Sequence, residues 1–158
     1  MFTLARALTY SALFIGLVLF FLPARVLAWA GVSRPVVFGG VEFSGIIVAI
    51  TGAVVALWCV FTFVFVGKGT PAPFDPPRKL VASGPYSFVR NPMYLGGALA
   101  LCGAAIFYHS LALLGYTLGF LVTMHLFVVL YEEPTLRRLF GTDYDAYRAR
   151  VYRWLPRF

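Results

Sequence analysis

Residues 43–66 read FSGIIVAITGAVVALWCVFTFVFV, an unbroken apolar run without a single charge. The hydrocarbon core of a bilayer takes about 20 helical residues to cross, so this run predicts a transmembrane helix. Three further segments follow the same pattern. Residues 4–22 (LARALTYSALFIGLVLFFL) form the first, with Pro23 and Arg25 expected to end it. Residues 95–107 are short for a span and rich in Gly and Ala, and residues 111–130 are of full length. The link at 108–110 is tight, so the last two segments should make an antiparallel hairpin. Gly96, Gly97, Ala98, Ala100, Gly103, Ala104 and Ala105 would let helices approach closely there.

Composition agrees. The 158 residues are 61% hydrophobic and only 12% charged, with a mean hydropathy of +0.85. A soluble domain carries about 25% charged residues, so lipid must cover much of this surface. The reading is a single all-α, polytopic membrane domain over 1–158, with about four transmembrane helices and a C-terminal amphipathic helix at the interface.

The net charge of +7 serves topology rather than nucleic acid, since no basic run is interleaved with exposed aromatics. An inside N-terminus places Arg6, Lys68, Arg78, Lys79, Arg90, Arg137, Arg138, Arg148, Arg150, Arg153 and Arg157 in the cytoplasm. Only Arg25 and Arg34 then fall outside. That asymmetry predicts both termini on the cytoplasmic side. Residues 4–30 also admit a signal-peptide reading, with Ala28-Trp29-Ala30 as cleavage site. The long apolar run and Arg25 favour a retained helix. Cys59 and Cys102 both lie in apolar runs and read as small buried hydrophobes. No metal-ligand cluster, phosphate loop or dinucleotide fingerprint is present.

The loop 67–94 and the tail 132–158 therefore share one side of the membrane. Pro71, Pro73, Pro76 and Pro77 exclude a continuous helix from the loop. In the tail, Leu136, Leu139, Phe140, Tyr144, Tyr147, Val151 and Leu155 recur every three or four residues, with arginines between. This suits an interfacial helix broken near Gly141; a passive membrane anchor would show the same periodicity.

Two constellations carry chemistry. The first is GPYSFVRNPMYLGG over 84–97, which brings glycines and the planar, permanently charged fork of Arg90 to the mouth of the third helix. A membrane-entry turn with a snorkelling Arg fits it equally well. The second is Glu132-Glu133-Pro134, where the fourth helix should leave the membrane. Carboxylates are disfavoured at a helix C-terminus and at a bilayer boundary. They need partners, for which Arg90, Arg137 and Arg138 are the candidates, or a cationic ligand. His125 lies mid-span about two turns earlier, as a functional candidate or a neutral His bonded across helices. His109 is placed in the outer link and assigned no role.

The run GPYSFVRNPMYLG, a helical hairpin, and EEPTLRRLFGTDYDAYRARVYRWLP together resemble the integral membrane methyltransferases typified by isoprenylcysteine carboxyl methyltransferase. Phospholipid methyltransferases are similar over the same stretch, residues 84–156. The resemblance implies S-adenosylmethionine as methyl donor, bound between hairpin and tail. By position, Tyr86, Arg90, Asn91, Pro92, Tyr94 and Gly96 fall in its cofactor-side motif, Glu132 and Glu133 form its acidic pair, and Tyr144, Tyr147 and Arg148 close the tail. Arg90, Glu133 and Arg148 are the implied catalytic residues. Asn91 stands where many members have His, and Asn cannot titrate near neutral pH.

The residue types suit that donor. A Glu would pair with its ammonium, Arg90 with its carboxylate, and tyrosine faces with its sulfonium. With no obvious base besides the Glu pair, an already nucleophilic acceptor is favoured: a carboxylate on a lipophilic molecule reached from the bilayer. Two rivals stand beside this reading. One is an NADPH-dependent reductase of the sterol-reductase type, whose phosphates would want more Arg and Lys and fewer carboxylates. The other is a non-enzymatic membrane partner.

Overall fold

The computed structural model describes Thr9 and residues 12–67 and 78–156. The proline-rich part of the predicted loop, together with Arg6, Lys68 and Arg157, lies outside the described residues. The described residues are mostly helical, with no strand among them. Three helices are long and apolar enough to cross a membrane.

Helix α1, Ala12–Trp29, does not stop at Pro23. A π-helical stretch over Gly16–Phe21 precedes the proline, and the Leu22 N–H bonds to the Leu17 carbonyl five residues back. Pro23 thus falls in the first turn of the next helical segment, Leu22–Trp29, where its missing N–H costs nothing. Helix α2, Gly40–Gly67, opens with Glu42 reaching back to accept the Gly39 N–H at 2.7 Å. Helix α3, Pro92–Phe107, has 16 residues, or about 24 Å at 1.5 Å per residue, less than the ~30 Å hydrocarbon core. A tight turn follows, with His109 at φ 48° and the Ser110 hydroxyl capping the Leu113 N–H of helix α4, Leu111–Phe127.

The small residues of α3 serve chiefly its contact with α2. A Cβ on Gly96 would sit 2.8 Å from the Gly52 carbonyl oxygen, and one on Gly45 would sit 2.6 Å from the Phe107 nitrogen. The backbones of Ala49 and Gly103 meet the same way. Paired glycines seven residues apart on each helix, Gly45 and Gly52 against Gly96 and Gly103, therefore set two antiparallel helices in backbone contact. Close packing replaces the hydrophobic drive that lipid cannot supply. At the far end Glu42 clasps His109 at 2.6 Å, so His109 is not simply solvated. α1 lies on the hairpin through Val18 and Leu19 against Ala98, Leu101 and Phe120, and the Tyr116 hydroxyl donates to the Val18 carbonyl. Outward faces stay apolar: Phe20, Val54 and Leu118 are 69%, 56% and 58% exposed.

The fourth helix does not end at the acidic pair. A π turn over Val128–Glu132 leads directly into helix α5, Glu133–Arg150, so no helix C-terminus confronts the carboxylates. The break near Gly141 is present: its φ of 49° and ψ of −122° belong to a region that only glycine enters freely. Beyond α5 the chain continues as a non-helical strap, residues 151–156.

Candidate active site

Three pieces meet at the end of the bundle remote from Glu42: the segment before α3, the π turn of the fourth helix, and α5 with its strap. Loop and tail are joined by direct bonds. The Arg90 N–H donates to the Tyr152 carbonyl at 2.9 Å, Asn91 Nδ2 to the Arg153 carbonyl at 3.2 Å, and the Tyr147 hydroxyl to the Tyr86 carbonyl at 2.7 Å. Asn91 is buried, and here it works as an amide donor holding the strap.

Glu133 is the hub. Arg153 grips it with two parallel bonds, Nε to Oε1 at 2.7 Å and Nη2 to Oε2 at 3.0 Å. Arg90 Nη1 lies 3.0 Å from Oε1 and also donates to the Tyr144 hydroxyl at 3.1 Å. Both amines belong to planar forks that match a carboxylate. Burial alone would raise the Glu133 carboxyl. The Arg153 hydrogen bond and the charges of Arg90, Arg153 and Arg148 outweigh it and hold the group below the usual carboxylate range. Glu132, also beyond the apolar stretch that ends at Leu130, behaves oppositely. It accepts from the Tyr94 hydroxyl at 2.9 Å, yet burial pushes its carboxyl above the usual range, and the Glu133 charge adds to the rise. Two adjacent carboxylates are thus driven apart by their surroundings.

Arg90, Asn91, Glu132, Glu133, Tyr86, Tyr144 and Tyr147 line one cavity, walled by apolar side chains such as Phe63, Val81 and Val128. Its volume is about 30 Å³, room for one or two waters. The Arg90 Nε is buried there with no acceptor among the described residues. The other residues singled out in the sequence lie elsewhere. Pro92 is the buried first residue of α3 and Gly96 faces α2. Arg148 is exposed on an open groove of about 500 Å³ that it lines with Arg137, Arg138, Pro134 and Glu133. His125 is exposed and accepts from Trp154 Nε1 at 3.1 Å. Arg137 pairs with Asp145 instead of the acidic pair. The partner that sequence reasoning missed is Arg153. Its signal was indirect: two uncompensated carboxylates, and an arginine one residue before the aromatic of the terminal W-L-P.

Residues 41–143 match the family model described as phospholipid methyltransferase, about two thirds of the chain. The chain belongs to the phospholipid methyltransferase family. No curated protein and no solved structure matches it. Members of this family are membrane methyltransferases that take S-adenosylmethionine as methyl donor. The matched stretch covers Arg90, Asn91, Tyr94 and both glutamates, while Tyr144, Tyr147, Arg148 and Arg153 lie beyond its end.

The residues fit the family's donor by chemistry: an orphaned guanidinium N–H for a carboxylate, buried carboxylates for an ammonium, and aromatic faces for a sulfonium. The cavity is far below the ~300 Å³ at which small-molecule pockets begin, too small as it stands to hold the donor.

Proposed function

We propose that this phospholipid methyltransferase relative binds S-adenosylmethionine through Arg90, Glu132 and Glu133 and methylates an anionic amphiphile delivered from the cytoplasmic leaflet. When bound, the donor supplies a sulfonium methyl group whose C–S electron pair returns to sulfur on transfer. The protein contributes orientation and a dry chamber. Arg90 would turn its free Nε–H to the donor's carboxylate, the glutamates would hold its ammonium, and Tyr86, Tyr144 and Tyr147 would exclude water.

The observation that carries the acceptor reading is Glu133's double membership. One carboxylate sits in the wall between the closed chamber and the open arginine groove, so a group bound by Arg137, Arg138 and Arg148 lies next to the donor site. A carboxylate held there is already nucleophilic and needs no base, which favours O-methylation. A dinucleotide's phosphates would face the Glu132–Glu133 pair, which disfavours the reductase. Orientation with the groove on the cytoplasmic side rests on the basic bias of the sequence.

A second reading, N-methylation of a phospholipid amine, is favoured by the family's description and by Glu132. Its raised pKa suits it to take the proton that an ammonium must lose. Incubating the purified chain with methyl-labelled donor and vesicles decides between them. Base-labile methyl ester formed on a carboxylate amphiphile supports the first reading; label in the headgroup amine of an ethanolamine phospholipid supports the second. Label in neither, with donor bound, would overturn both.

A further inference from the structure

Three residues that line the chamber, Arg90, Asn91 and Glu133, are bonded from behind by the strap, residues 151–156, which does not line it. The strap is non-helical and is held by bonds to side chains and loop: Arg90 to Tyr152, Asn91 and Glu133 to Arg153, and His125 to Trp154. Of these, the Arg153–Glu133 pair occupies both oxygens of the carboxylate that our reading gives to the donor's ammonium. With Arg90 on a third position at Oε1, only about one of the carboxylate's four acceptor positions is left for the ammonium, so the two cations compete for it.

We infer that Arg153 is a competitor built into the site: the donor enters by displacing its guanidinium from Glu133, and the strap swings away as it does. This rests on the donor reading above. Closing excludes water from the carboxylates in the resting state, and opening makes the room that 30 Å³ does not provide. Arg153 is 31% exposed at its side chain, so its charge can move out to the aqueous face without crossing the bundle. Trp154, which leaves His125 with it, reports the motion.

The affinity of a ligand for a protein that must first open is reduced by the fraction of molecules already open. Removing the competitor should therefore tighten binding. In a Trp29→Phe, Trp58→Phe background, whose remaining tryptophan is Trp154, saturating S-adenosylmethionine should shift the emission. Arg153→Ala should bind the donor on the order of five- to tenfold more tightly, with the shifted emission present before donor is added. Arg153→Lys, a one-point contact, should fall between and serves if the alanine variant fails to fold. S-adenosylhomocysteine, with no methyl to transfer, should produce the same shift. Weaker or unchanged donor affinity in a folded Arg153 variant, or a Trp154 signal indifferent to bound donor, would overturn the gate while leaving the donor site standing. Absence of donor binding in both the parent and the variants would overturn the donor reading itself, and the gate with it.

Discussion

Arg90 holds Glu133 and Tyr144 with one nitrogen and leaves its Nε buried with no acceptor among the described residues, an arrangement that is costly unless a ligand completes it. The same economy governs the glutamates. Glu133 keeps its charge because arginines surround it, and Glu132 is pushed towards protonation by burial. The signs follow from those shifts. Glu133's pairing stabilises the fold above the unfolded value of about 4.5 and is lost as pH falls through its lower folded pKa; Glu132 works the other way, destabilising the fold as pH rises through its raised one. Donor affinity should accordingly begin to weaken on acidification while pH is still above 4.5, as Glu132 loses its charge. In Glu132→Gln that early fall should vanish, leaving only the later one from Glu133; affinity measured against pH in both forms checks it. The acidic pair stood out as a candidate because its placement looked unfavourable, although the helix end expected there is absent. Of its partners, Arg90 was among the candidates and pairs with Glu133; Arg153 was not, since choosing it over Arg137 and Arg138 depends on a strap that doubles back, which no local pattern encodes.

At the scale of elements, the α2–α3 contact admits no side chain where glycine backbones meet. Gly103→Ala should lower stability by about 1–3 kcal/mol, the usual range for overpacking, whereas Gly115→Ala, which meets nothing within 4 Å, should be silent. Thermal unfolding in one detergent compares them. Gly141→Ala forces a Cβ into a glycine-only region and should straighten or weaken the tail, reducing donor binding more than it reduces the melting temperature of the bundle. The spans could be read from hydropathy, and the Gly141 break from a glycine inside a helical period. Pro23 and Pro134 misled for one reason: π-helical turns precede both, so each proline opens a segment that continues an existing helix. Hydropathy carries no signal for such turns.

For the whole molecule, the claim is a closed donor chamber and an open basic groove sharing one wall at the cytoplasmic face. Neutralising Arg138 and Arg148 together should raise KM for an anionic acceptor about tenfold or more with little change in donor affinity. This is the split expected of groups that bind the acceptor alone. A reporter fused after Phe158 should read as cytoplasmic. The lipid-facing architecture was legible because it is written in composition; the acceptor was not, because the outer faces that would admit it are generic apolar surface. The most direct test of the account is equilibrium binding of S-adenosylmethionine and of NADPH to the detergent-purified chain and to Glu133→Gln. The account predicts saturable binding of S-adenosylmethionine alone, weakened at least about tenfold in the variant, roughly 1.4 kcal/mol or more. Binding of NADPH in its place, or donor affinity untouched in a folded Glu133→Gln protein, would contradict it.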